Sequence, residues 1–134
     1  MKTVVRRDAS EEKLCRIYVK GAPEELIPLC TQTLDPNVQT VEFSEHDRQN
    51  VLGIIENKIA KKGYKPLSYA VRIISREDLD NALPNVSEDS PQYRNIFESD
   101  LIYLGTFGLV DPLREGIQDT INLLQYGVEN PEPK

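Results

Sequence analysis

Residues 45–62, "EHDRQNVLGIIENKIAKK", leave this chain little freedom. Val51, Ile54, Ile55 and Ile59 recur at helical spacing and predict one apolar stripe along a helix. Ser44 stands where an N-cap belongs, and Asp47 three residues later resembles the return half of a capping box. Lys58, Lys61 and Lys62 suit the negative C-terminal end, and Gly63 follows as a C-cap. A helix with one apolar stripe needs a surface to lie on, and the neighbouring segments offer a sheet.

Four segments read as strands. "TVVRR" and "LCRIYVK" alternate or cluster β-branched residues, with a polar turn "DASEE" between them. "YKPLSYAVRII" is rich in aromatic and β-branched residues, and Pro66 places its beginning at an edge or bulge because proline cannot donate to a ladder. "LIYLGTFGLV" is apolar on both alternating faces, which predicts a central strand covered on both sides. Pro23 opens a short helix with Glu24 and Glu25 in its first turn, and Leu26, Ile27 and Leu29 form its apolar side. "TQTLDPNVQT" reads as a loop with a turn at Asp35-Pro36-Asn37, and the acidic 75–100 segment as surface chain with short helical turns. Near the end, Asp111 caps a helix carrying Leu113, Ile117, Ile121 and Leu124, Gly127 ends it, and a frayed tail follows. The predicted class is α+β, a mainly antiparallel sheet flanked by helices around one core.

Composition narrows the function. Sixteen basic against twenty-two acidic residues give a net charge of −6, the wrong sign for a non-specific nucleic-acid or anionic-membrane binder. Any anion must be held by local lysines and backbone amides. No apolar run reaches the roughly 18 residues of a membrane span, and "MKTVVRRDAS" has charges where a signal peptide is apolar. Cys15 and Cys30 read as two buried thiols rather than a disulfide framework. His46 is the sole histidine and reads as a surface residue; with no second histidine and no CxxC, no metal site is expected.

The stretch "VKGAPEELIPLC" places Lys20 and Gly21 where a strand gives way to a helix. Lysine is a mobile point charge suited to phosphates, and glycine lets backbone approach a ligand closely. By itself this pattern fits an ordinary turn as well as an anion seat.

Three stretches together go further. "VKGAPEELIPLC" resembles the KGAPE motif of the P-type cation-transporting ATPases. "YKPLSYAVR" resembles the family segment in which a basic residue precedes a short apolar strand ending in arginine. "SDLIYLGTFGLVDPLREGI" resembles the family's strand and hinge. They occur in the family's order, span Lys2 to about Gly127, and lie nearest the calcium-pump branch. The resemblance implies the C-terminal part of a nucleotide-binding domain over 1–110, then hinge and helix leading towards the phosphorylation domain over 111–134. It implies that Lys20 lines an ATP pocket near adenine and ribose, with Gly21 and Ala22 shaping the wall. Lys65 replaces the usual arginine at the phosphates, which keeps the charge and loses the bidentate fork. Leu67 would make an apolar contact, and Lys2 in "KTVV" matches a further lysine that approaches the nucleotide. Asp111, Pro112 and Arg114 match the hinge, with Leu113 where the family commonly has a second proline.

The family's DKTGT phosphorylation motif and its later TGD are absent from this sequence, and the aromatic that stacks on adenine falls outside it. The expectation is a cytoplasmic domain that binds ATP weakly and is inactive alone. Mg2+ would enter only in a complete pump, and membrane association only through a full-length parent. An uncovered sheet edge is expected to allow self-association. The alternative is a protein-interaction or regulatory module that keeps the fold without nucleotide binding.

Overall fold

The computed structural model describes residues 2–7, 13–87, 89–110 and 116–126. Among them a six-stranded sheet runs in the order β1-β2-β5-β6-β3-β4. The strands are β1 (Lys2–Arg7), β2 (Leu14–Gly21), β3 (Cys30–Leu34), β4 (Thr40–Glu42), β5 (Lys65–Ser75) and β6 (Leu101–Leu109). Every neighbouring pair is antiparallel except β3 with β6. The helices are α1 (Pro23–Leu26), α2 (Glu45–Lys58), α3 (Arg76–Ala82), α4 (Pro91–Phe97) and α5 (Ile117–Tyr126). The class is the α+β sheet-and-helix arrangement anticipated from the sequence.

Strand alternation sorts the residues onto two faces. Cys15, Ile17 and Val19 of β2 and Ala70 of β5 form one core with Leu26, Ile27, Ile55, Leu79, Phe97 and Leu101. This is the inner face, and segments from all of α1 to α4 pack on it. Gly21 and Ser68 complete it at the end of β2, where they stand opposite one another in the ladder. Buried Ser68 is satisfied by the Thr106 hydroxyl at 2.6 Å, which in turn meets the Tyr103 hydroxyl at 2.7 Å. Arg72 ties α4 to β5 by donating to the carbonyls of Asn95 and Ile96 and to Ser99.

Helix α2 begins as its sequence dictates. The Ser44 hydroxyl accepts from the Asp47 amide at 3.1 Å, and the Asp47 carboxylate accepts in return from the Ser44 amide. A single tight turn at Ala60–Lys62 follows α2, and Gly63 closes it in the left-handed region (φ 83°), where a side chain would be strained. The core-facing stripe is Val51, Leu52, Ile55 and Ile59. Ile54, predicted within it, is instead 53% exposed. It lies about 100° around the helix from Ile55, far enough to turn it to solvent.

Three other expectations change. Residues 30–42 form a hairpin of β3 and β4 rather than a loop, while Asp35 does make the turn: its carboxylate accepts from the amides of Asn37 and Gln39. The 76–97 segment reaches the core through Leu79 and Phe97. β6 is central in the sheet, but its second half is open on one face, with Phe107 and Leu109 exposed. Pro66 lies beyond the last β2 partner of β5, Ser68, so that stretch has a strand only on its β6 side. Cys15 and Cys30 are free and buried, and His46 is exposed. Gly127 and the tail lie outside the described residues.

Candidate functional site

The opposite, outer face of the sheet gathers three of the residues singled out from the sequence, Lys20, Lys65 and Leu67. In the β2–β5 ladder Lys20 stands directly opposite Tyr69 and Tyr18 opposite Val71. Directly paired residues of an antiparallel ladder share a face. On β5 the period of two puts Lys65, Leu67 and Tyr69 on that face together. Their β6 partners are Leu109, Phe107 and Gly105 in that order. Lys20 and Lys65 therefore flank an apolar, aromatic strip, separated by four residues along β5, roughly 13 Å.

Both lysines are exposed, and Leu67 is half-buried between them. Tyr69 and Phe107 meet edge-on, ring centroids 5.6 Å apart and planes at 80°. Lys2 stands opposite Lys20 in the β1–β2 ladder, which brings its backbone to the same level of the sheet. Gly21 does not join the outer face: it is the last residue of β2, buried, with its missing side chain on the inner side opposite Ser68. Ala22 is exposed, and its carbonyl accepts from the amides of Glu25 and Leu26 at 3.1 and 3.0 Å, starting α1. Asp111, Pro112 and Arg114 lie outside the described residues.

The strip owes its shape to a bulge. The β5–β6 register shifts between Tyr69 and Ala70, leaving Leu104 as the extra residue. Gly105 next to it has φ 153°, a conformation other residues rarely adopt. Three residues on, a Cβ at Gly108 would meet the Ile59 side chain at 3.0 Å, so glycine there lets the end of α2 close on the inner side. The outer side stays open, with Phe107 63% exposed. Tyr69 and Phe107 were not picked out from the sequence, although the alternation 65, 67, 69 and 105, 107, 109 carries the signal.

Beneath the site the chemistry is inert. Burial pushes the Cys30 thiol up to about 12, only partly opposed by the Arg48 guanidinium. Burial likewise raises Tyr103, against its hydrogen bond with Thr106. Among the described residues no three His, Cys, Asp or Glu side chains gather as a metal site, and no helix is long and apolar enough to cross a membrane. A separate shallow cleft lined by Lys13, Ser75, Arg76, Glu77 and Asp80 lies at the far end of β5. Its charges are mixed, with Arg76 paired to Asp80 at 3.6 Å, so it offers no concentrated seat for an anion.

Comparison with known proteins points to the same family. A family model described as "P-type ATPase, cytoplasmic domain N" matches residues 1–116. A protein of Plasmodium falciparum (isolate K1 / Thailand) named "Calcium-transporting ATPase" is 32% identical over 114 residues, 85% of this chain and 9% of that protein. "Probable calcium-transporting ATPase 8, plasma membrane-type" of Oryza sativa subsp. japonica is 29% identical over 106 residues, 79% of this chain and 9% of its own length. "Plasma membrane calcium-transporting ATPase 4" of Homo sapiens is 26% identical over 106 residues, 79% of this chain and 8% of its own. The chain thus spans about a tenth of the length of these relatives. With the family model covering most of its length, the chain belongs to the P-type ATPase family, in the region of cytoplasmic domain N.

Proposed function

We propose that this chain is the ATP-holding part of domain N in a P-type calcium-transporting ATPase, binding nucleotide weakly and performing no phosphoryl transfer alone. The observation that carries the reading is the placement of Lys20, Leu67 and Lys65 on one open face of the sheet. On a body of net charge −6, two ammonium groups flanking an apolar strip give a phosphate-bearing ligand with a flat ring its most favourable seat. Lys65 supplies charge without a planar fork, so it attracts phosphate without fixing its orientation. Two lysines and one apolar wall support a dissociation constant of about 1 mM, or roughly −4 kcal/mol.

In the complete pump the phosphorylation domain supplies the acceptor aspartate, and Mg2+ enters there with the nucleotide. The parent holds the domain at the membrane. Calcium as the transported ion rests on the names of the relatives. Residues 1–110 form the nucleotide-binding part, and Asp111, Pro112 and Arg114 begin the hinge towards the phosphorylation domain. Self-association through the sheet edge at β1 belongs to the same reading, since β1 has a partner on one side only.

Titrating ATP into the isotope-labelled chain tests it. The amides of Lys20, Gly21, Ala22, Lys65 and Leu67 should shift by about 10 mM ligand, and Lys20→Ala should abolish the shifts while leaving the fold intact. Amides that stay in place at that concentration would refute nucleotide binding.

A further inference from the structure

The C-terminal end of α2 is a corner of one charge on an acidic body. From Asn57 to Arg76 the sequence has no Asp or Glu, although acids outnumber bases by 22 to 16 in the whole chain. Lys58, Lys61 and Lys62 stand there, all exposed, and Ile54 lies one turn before Lys58, 53% exposed. Glu56, the acid closest to them along α2, lies about 200° around the helix from Lys58 and so turns away from it.

The corner is also held still. The amides of Lys62 and Tyr64 both donate to the Ile59 carbonyl at 3.2 Å, and the Gly63 amide donates to the Ala60 carbonyl at 2.9 Å. The Lys61 ammonium donates to the Asn57 side chain at 2.8 Å. Tyr64 rests against Gly108, where an added Cβ would come within 3.1 Å of it, yet Tyr64 is 41% exposed. The negative end of a helix accounts for lysines at this place, but not for two large apolar side chains standing in water among them.

We propose that Ile54, Lys58, Lys61, Lys62 and Tyr64 form a docking site for a short acidic segment of a partner protein, with an apolar side chain among its carboxylates. Charge complementarity decides the occupant. A short segment senses charges within about 8–10 Å, and at this corner those nearest are the lysines. A membrane or a nucleic acid extends past the corner and meets a body of net charge −6, which repels it. The site lies on the helix side of the sheet and uses none of Lys20, Lys65 or Leu67, so it stands apart from the nucleotide reading.

The test uses the isotope-labelled 134-residue chain and a synthetic octapeptide of glutamates with one central phenylalanine. The amides of Lys58, Lys61, Lys62, Gly63 and Tyr64 should shift. Binding should weaken about tenfold or more as salt rises from about 50 to 500 mM, and several-fold when alanine replaces the phenylalanine. Lys61→Glu combined with Lys62→Glu should abolish the shifts; both side chains are in water, so the variant should fold. Saturating ATP should leave the peptide in place. Phosphatidylserine vesicles should not retain the chain. Shifts confined to Lys20 and Leu67, and lost with ATP, would refute the site, since the peptide would then only fill the outer face. Retention on the vesicles would overturn the choice of a protein partner. The same shifts on concentrating the chain alone would overturn it too, with a second copy as the occupant. No shift at the corner ends the proposal and leaves nucleotide binding untouched.

Discussion

The two faces of the sheet are both apolar, yet only one of them builds the fold. On the inner face Ile17, Val19 and Ala70 are sealed under helices; on the outer face Tyr18 and Ile73 of the same two strands, and Phe107 and Leu109 of β6, stand in water. Hydrophobicity alone does not decide burial here; the supply of covering elements does. The consequence is a division of labour, with stability on one side and ligand contact on the other. The strongest attack on this division is Ile17→Ala. Ile17 has no exposed surface, and its truncation should cost about 2–5 kcal/mol, read from the denaturant midpoint. A loss under about 1 kcal/mol would mean that the inner face is not the core.

Alkaline pH sharpens the contrast by reaching a thiol buried on the sealed side. The Cys30 thiol donates to the Leu26 carbonyl at 3.3 Å, and burial raises its pKa from 9.0 to about 12. A raised acid stays protonated in the native chain while the unfolded chain releases its proton. Its contribution is complete below about pH 9 and is lost as pH climbs towards 12, at about 1.4 kcal/mol per pH unit. Tyr103, raised chiefly by burial, acts in the same direction above its ordinary value of 10.0. Unfolding midpoints at pH 8 and 10 should therefore diverge, and Cys30→Ala should flatten the dependence between pH 9 and 10. An unchanged slope in that variant would overturn the assignment.

Next in size is the start of α2, the longest helix covering the inner face. Ser44→Ala removes the hydroxyl that accepts from the Asp47 amide and should cost about 1 kcal/mol. The Ser44 hydroxyl, followed by its amide, holds Asp47 below the usual carboxylate range. That support is present above the ordinary carboxylate pKa and disappears as pH falls through the lowered one. The acid sensitivity of the helix should shrink in Ser44→Ala, as circular dichroism at graded pH would reveal.

Elements defined by local chemistry were legible in the sequence: the Ser44–Asp47 cap, the Gly63 stop, and the strands containing Ile17, Ala70 and Ile102. The β3–β4 hairpin was not. Its strands are threonine-rich and largely polar, β4 is fully exposed, and Val38 takes φ 62° without being glycine. Ile54 misled because a stripe counted in steps of three and four is wider than the contact the sheet makes. β6 misled for the reason the two faces differ: its outer residues are as apolar as covered ones. At the site, alternation within β5 groups Lys65 with Leu67, but only the long-range pairing of Lys20 with Tyr69 brings Lys20 to them. The same pairing puts Gly21 on the inner side, which no local motif reveals.

The smallest expected effect is also the most discriminating. Ile73 lies on the outer face opposite Arg16 and is 50% exposed, so Ile73→Ala leaves no cavity and should change stability by under about 0.5 kcal/mol. Ile17→Ala removes the same atoms from the neighbouring strand, on the other face. The ratio of the two losses thus measures coverage, with chemistry and backbone held constant. If Ile73→Ala proves as costly as Ile17→Ala, something covers the outer face in solution. Sedimentation at rising concentration would then show association of the parent chain that the variant lacks, and the face assigned here to a nucleotide would be occupied by a second copy.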